Sequence, residues 1–313
     1  MKRTSGRIPA LLLSCCAVTA RFSIVGIGEA LFDVFASGER LGGAPLNVGL
    51  HAHELGRRSE TCGVVVSRVG QDARGRRLID QLADRGMSTE YIETDPDRPT
   101  GRVYVDVDVN GQPNFDIVAN AAWDAIQYDP NLEDLAQRCD AVCFGTLAQR
   151  DGQSRNTIYR FLDACPRAIR MFDVNLRQDA WDHRLLLRSC EWSTIVKLNE
   201  KELPIVMEAV DVDSPQALQR RFDLDMVVLT RGEAGTCLYT ASGEVTGPPA
   251  RYDPVPDADA VGAGDACAAA ILVGRSLRLE PAQIVVLANS VGAWVASQSG
   301  ATPSLPDSIL SML

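Results

Sequence analysis

The sequence predicts an α/β protein: a sheet with helices on its faces, and a hairpin lying outside that main layer. Two observations carry this class. Short apolar runs of strand length alternate with helix-length runs over most of the 313 residues, the pattern of a helix-covered sheet. One stretch breaks the pattern. Val103, Val105, Val107 and Val109 alternate with Arg102, Tyr104, Asp106 and Asp108 before Asn110-Gly111, and a period of two at an Asn-Gly turn signals a hairpin.

The elements follow in order. Residues 24–28 read as a short buried strand. The segment 42–56, GGAPLNVGLHAHELG, opens on glycines and continues as a helix that stops at Gly56. A second strand is predicted over 61–66 and a helix over 72–85, with Leu78, Ile79 and Leu82 on one face and Gly86 at its end. The hairpin over 102–118 has one apolar and one polar face. It is therefore expected half exposed, in a small sheet able to cover a site. The βα alternation resumes with strands at 141–145, 168–174, 194–198 and 226–230. A later hairpin is expected from 236 to about 251, a small-residue helix over 261–273, and a long apolar helix over 282–298.

Composition removes several function classes. The chain is 46% hydrophobic, too apolar for disorder. It has 31 basic and 41 acidic residues, a formal charge of −10, and no basic run. That argues against nucleic acid or an anionic membrane as partner, but not against a nucleotide, whose phosphates can be held by backbone N–H groups and a few cations. The nine cysteines form no CxxC pair and read as reduced thiols of a cytoplasmic protein. His51 and His53 stand two apart on a helix and face different ways, which is not metal-ligand spacing.

The first twenty residues, MKRTSGRIPALLLSCCAVTA, outline a secretory signal, and Leu12-Leu13-Ser14-Cys15 outlines a lipoprotein box. The apolar core is short, begins at Pro9 and is broken by Ser14. The preferred reading of 1–21 is an extension outside the fold, disordered or set by an upstream start codon. No other run approaches the ~18 apolar residues of a membrane span.

The chemistry concentrates at residues 259–265, DAVGAGD. Gly262, Ala263 and Gly264 let backbone approach a ligand closely, and the following helix presents free N–H groups and its positive dipole end. Such a hole stabilises charge on a transferring phosphoryl group. Asp265 at its mouth can accept a proton from a hydroxyl, although a helix-capping Asp has the same local look. Thr230-Arg231-Gly232 with Gly235, and Asn199 with Glu202, follow strands. They are expected at the carboxyl edge of the sheet, where phosphate and hydrated magnesium bind. Asp33, and Asn47 after Gly42-Gly43, suit hydrogen bonding to a polyol, or ordinary turn chemistry.

From about Phe22 onward the chain resembles the PfkB-type carbohydrate kinases, the ribokinase-like family. Two signatures stand in order: Gly42-Gly43, Asn47 and Gly56 followed by Val69-Gly70-Gln71-Asp72-Ala73-Arg74-Gly75, and then Asp259-Ala260-Val261-Gly262-Ala263-Gly264-Asp265. The resemblance implies a three-layer α/β/α domain over 22–313, with a mainly parallel central sheet and a small β-sheet lid around 34–42 and 101–118. It implies Asp265 as catalytic base and Gly262, Ala263 and Gly264 as the anion hole. Asp33, Gly43 and Asn47 match sugar-contacting positions. Asn199, Thr230, Gly232, Gly235 and Asn289 match nucleotide positions, and Glu202 a position near water-held magnesium. Asp259, Val261, Val295, Gln298, Gly300 and Ser304 match a potassium-type site. Two departures are Ala260, where many relatives have Thr, and Cys267, where many have Phe.

The segments GEALFD (28–33), FGTLA (144–148) and DVNLR (173–177) resemble the fructokinase-like branch, which implies Arg177 facing the substrate or its phosphoryl group. The implied reaction is transfer from Mg–ATP to the 6-hydroxyl of fructose. 2-Keto-3-deoxygluconate kinases share much of this pattern. Ribose or adenosine as acceptor, and a non-catalytic sugar sensor, remain as alternatives. Lids in this family often pair two subunits, so a homodimer is a further expectation.

Overall fold

The computed structural model describes residues 22–36, 38–107 and 113–313. The readings made for 1–21 and for the Asn110-Gly111 turn lie outside these. Along the chain run β1 (Phe22–Ile27), β2 (Leu31–Phe35), β3 (Gly38–Gly42), α1 (Ala44–Gly56), β4 (Thr61–Gly70), α2 (Ala73–Asp84), β5 (Ile92–Asp95), β6 (Gly101–Val107) and β7 (Pro113–Ile117). Then come α3 (Pro130–Arg138), β8 (Ala141–Gly145), α4 (Gly152–Ala164), β9 (Ile169–Asp173), α5 (His183–Trp192), β10 (Ile195–Asn199), α6 (Glu202–Ala209), α7 (Pro215–Arg221) and β11 (Met226–Thr230). The chain closes with β12 (Thr236–Thr240), β13 (Gly243–Thr246), α8 (Ala263–Ser276), α9 (Pro281–Ala296) and α10 (Asp307–Leu310).

The main sheet has nine strands in the order β13-β12-β11-β10-β9-β8-β1-β4-β5. Every pairing from β11 to β5 is parallel, and β12 and β13 add an antiparallel edge. Alternate residues of one strand enter different cores, as a pleat requires. Val25, Phe144, Phe172 and Val196 join α3–α7 on one face. Ile24, Cys143, Met171 and Ile195 join α8 and α9 on the other. The sheet is therefore sandwiched between two helical layers. A third cluster holds α2 through the fully buried Leu78 and Leu82, with Phe32, Leu46 and Val69.

A second sheet of four strands, β3-β2-β6-β7, stands apart from the first. β2–β3 and β6–β7 are antiparallel pairs, joined by a parallel β2–β6 pairing. The expected two-faced hairpin is present: Val103 is buried while Tyr104 is exposed.

Several predicted ends move. The strand predicted to end at 66 runs to Gly70, because Val69 and Gly70 pair with Thr94 and Asp95 of β5. The hairpin expected to reach 251 ends at Thr246. Asp72 is the N-cap of α2 rather than its first residue, accepting from Gly75 N at 2.8 Å. Strands β2, β3 and β5 were not separately anticipated. Among the described residues no helix is long and apolar enough to cross a membrane.

Candidate active site

The parallel strands end together at one edge of the sheet, where their carboxyl termini and a helix amino terminus surround a cavity of about 650 Å³. The position is the one expected of an open α/β sheet. Strand β9 delivers Asp173, β10 delivers Lys197 and Asn199, β11 delivers Thr230, and the residues after β1 deliver Glu29. The opposite wall is the small sheet. Leu31, Asp33 and Phe35 of β2 alternate inward, with Val103 and Val105 of β6 and Ile117 of β7.

Helix α8 starts at the floor. Gly262 is its N-cap in the left-handed region, with φ 79°, and no side chain caps the helix. Any Cβ on Gly262 would run into Ala301, so the turn requires glycine. Gly262 and Gly264 line the cavity, whereas Ala263 does not. Its N–H turns back to Ala260 O at 3.3 Å, so of the three residues expected to form an anion hole, the two glycines are the ones that border the cavity.

Asp265 stands in the first turn of α8 and lines the cavity. Its Oδ2 accepts from Asn47 Nδ2 at 2.8 Å. Burial, with the nearby Asp173 carboxylate, raises its pKa to about 7, against the pull of Asn47, Lys197 and Arg177. A carboxylate poised near neutrality suits general-base work. Asn47 comes from α1, whose start is fixed by Gly43 at φ 110°. A Cβ on Gly43 would strike the Glu29 backbone.

Asp33 and Arg177 line the same space. Burial lifts Asp33 to about 6, with Arg177 and Arg40 opposing the shift. The Arg177 guanidinium donates to Leu176 O at 3.0 Å. Glu202 accepts from Leu176 N at 3.0 Å and Asn199 N at 2.9 Å, and Asn199 Oδ1 accepts from Lys201 N at 2.9 Å. Burial raises the Glu202 pKa.

The other nucleotide positions divide. Thr230 lines the cavity and donates to Leu198 O at 3.3 Å. Gly232, Gly235 and Asn289 lie beyond it. Gly232 and Gly235 shape a positive-φ turn after β11, and a Cβ on Gly235 would stand 3.0 Å from Asn289 Nδ2. That amide donates to Pro248 O at 2.9 Å, while its buried Oδ1 finds no partner among the described residues. The structure thus gathers this second group around its own small turn.

Asp259, Val261, Gln298 and Gly300 do come together. Asp259 accepts from Val261 N and Gly300 N, each at 3.1 Å, and its own N–H donates to Gln298 O at 3.0 Å. Val295 O is taken by Gln298 N and Ser304 O by Trp294 Nε1, both at 3.0 Å.

Three site residues carried no assigned role in the sequence. Lys197 is 5% exposed and Asp173 4%, and Lys197 Nζ reaches both Asp173 oxygens at 2.9 Å. Burial alone would lower the Lys197 pKa, but the Asp173 carboxylate outweighs it and the ammonium stays protonated. A lysine inside the apolar run Ile195–Asn199 was the available signal. Glu29 accepts from Ala44 N at 3.2 Å, and its Oε2 is buried with no partner among the described residues. Burial, reinforced by Asp265, lifts it to about 7. Its signal was an acid directly after a buried strand.

A three-layer α/β fold with a buried carboxylate at a glycine-led helix start, beneath a small sheet, is the arrangement of a ribokinase-type phosphotransferase. The description of the pfkB family carbohydrate kinases matches residues 24–308, and this chain belongs to that family. A fructokinase of Klebsiella pneumoniae is 32% identical over 300 residues, covering 90% of this chain and 95% of its own length. Fructokinase of Xylella fastidiosa with bound ATP superposes with a TM-score of 0.78 at 22% identity, over 93% of this chain and 97% of that one. A double-mutant fructokinase of Vibrio cholerae, holding fructose, ADP and a potassium ion, superposes at 0.77 and 22% identity, over 95% and 99%. The last two establish likeness of fold.

Proposed function

We propose that this carbohydrate kinase transfers the γ-phosphoryl group of ATP to a primary hydroxyl of a ketohexose, the 6-hydroxyl of fructose. The carrying observation is Asp265, buried and near neutral in pKa, at the open end of α8 and in one cavity with Asp33, Glu29 and Asn47. Asp265 takes the proton of the attacking hydroxyl while Asn47 holds its carboxylate in place. The Gly262–Gly264 turn and the helix N-terminus receive charge on the phosphoryl oxygens. Lys197 stands close by, since a Cβ on Gly264 would lie 3.5 Å from its Nζ, and adds positive charge on the same side. Asp33, the unpartnered Glu29 Oε2 and Asn47 Oδ1 are the polar atoms that sugar hydroxyls would satisfy.

The donor set fits a magnesium ion that arrives with ATP. Glu202 and Asp173 line the cavity, yet no cluster of three His, Cys, Asp or Glu able to hold a metal occurs among the described residues. A magnesium ion there takes phosphate and water for most of its ligands. When bound it neutralises phosphate charge. We read residues 22–313 as one kinase domain, with the small sheet as a lid whose inward face excludes water. A second copy pairing on the outer face of that sheet is the assembly this reading expects.

Arg177 supports a second reading, because its guanidinium suits a substrate carboxylate, as on 2-keto-3-deoxygluconate. A sugar panel assayed for kcat/KM with Mg–ATP separates the two. Fructose is expected to lead. A strong preference for the keto acid would assign the second reading, and exclusive use of ribose or adenosine would refute both.

A further inference from the structure

Arg40 occupies an unusual place. It sits on β3 directly opposite Asp33 of β2, and Asp33, not Arg40, lines the cavity. Its side chain leaves that sheet and crosses to the phosphate loop, where Nη1 meets Asp259 Oδ2 at 2.8 Å. It is held on two further sides. Its Cδ lies 3.5 Å from where a Cβ on Gly300 would stand, and its guanidinium carbon is 4.9 Å from the centre of the Phe35 ring.

Asp259 is the single side-chain anion of the expected potassium site, and its carboxylate is already satisfied. Oδ1 takes Val261 N, and Oδ2 takes both Gly300 N and Arg40 Nη1. The carbonyls of Val295, Gln298 and Ser304 have hydrogen-bond donors of their own. A monovalent ion at Asp259 would face the guanidinium's repulsion and compete with a fixed charge-assisted hydrogen bond. It is the guanidinium already held at Asp259 that leaves these residues a poor fit for the ion.

We propose that the Arg40 guanidinium takes the place of the monovalent cation at Asp259, so that this kinase does not respond to potassium. The inference rests on the kinase reading above. Arg40 supplies the positive charge beside the α8 loop from within the chain and ties that loop to the small sheet.

The test compares potassium chloride with tetramethylammonium chloride at equal ionic strength, on the full chain. Melting temperature is read without substrates, and turnover is read with them. The wild-type chain is expected to give the same melting temperature and the same turnover in both salts. Arg40→Gln exposes the Asp259 carboxylate. In tetramethylammonium this variant should lose about two- to fivefold in turnover, the range a half-exposed ion pair supports. Potassium should restore that loss and raise its melting temperature by about 2 °C or more. Arg40→Lys keeps the charge and should behave as wild type. Should Arg40→Gln fail to fold, Arg40→Ala carries the same comparison. Stabilisation or several-fold activation of the wild type by potassium overturns the proposal. So does a glutamine variant indifferent to potassium in both readouts. Absence of sugar phosphorylation in every salt would instead overturn the kinase reading, leaving the melting comparison to judge Arg40.

Discussion

Replacing Asp265 by asparagine removes a proton acceptor and changes little else in the site. The amide is nearly isosteric, and its oxygen can still accept from Asn47 Nδ2, which now stands 2.8 Å from the carboxylate. Asp33, Glu29 and Arg177, proposed to meet the sugar hydroxyls, remain in the cavity. With a pKa of about 7 the wild-type carboxylate is ionised in about nine of ten molecules at pH 8. Turnover there reports the base almost undiluted. A positioned general base contributes about 10²–10⁴ in rate, or about 3–5 kcal/mol of barrier. Asp265→Asn should therefore lower kcat by that factor, measured as ADP release at saturating fructose and Mg–ATP. Sugar affinity, measured by calorimetry, should move far less. Turnover within about tenfold of wild type would refute the reasoning, because the hydroxyl proton would then be leaving by another route.

Further outcomes follow from the same geometry. The kcat/KM of the wild type should fall on the acid side with an apparent pKa of about 7, approaching tenfold per pH unit below it, as Asp265 takes up its proton; a flat profile down to pH 5 would contradict this. The same group bears on stability. Its folded pKa lies above the unfolded value near 3.8, so the folded state holds the extra proton between about pH 4 and 7 and loses stability as pH rises through that window. Asp265→Asn should thus melt higher than wild type at pH 8, with the gain shrinking towards pH 4; a gain independent of pH would sink the argument. Lys197→Met leaves the buried Asp173 carboxylate unpaired and should cost about 3–5 kcal/mol in urea unfolding. Adding Asp173→Asn should return much of that loss. Gly262→Ala forces a side chain at φ 79° into Ala301 and should lose turnover even if it folds.

Much of the frame was legible because it depends on local pattern. Strands 141–145 and 226–230 match their predicted bounds, since buried parallel strands are continuous apolar runs between turns. Helix α1 was legible in its glycine start and stop. The residues Asp33, Gly43, Asn47, Arg177, Asn199, Glu202, Thr230 and Asp265 line one cavity although they span most of the chain. For Asn199, Glu202 and Thr230 the position after a strand already pointed to the sheet's carboxyl edge; that the others meet them there followed from the resemblance. Less was readable where packing decides. Strands β2 and β3 carry charges in their pattern: Asp33 of β2 faces the cavity, whereas Glu39 and Arg40 of β3 pair with Arg74 and Asp259. The Asp173–Lys197 pair joins neighbouring strands, a register that no single segment states. Arg40 and Asp259 are separated by 219 positions, and nothing local to either announces their contact.

The central claim is phosphorylation of a ketohexose hydroxyl by ATP at the cavity above Asp265. Phosphorus–proton correlation NMR on the product of fructose and Mg–ATP tests it most directly. The account predicts a phosphate ester coupled to the C6 methylene protons, with ADP formed in equal amount. Inorganic phosphate released without an ester, or an ester on another carbon, would contradict it.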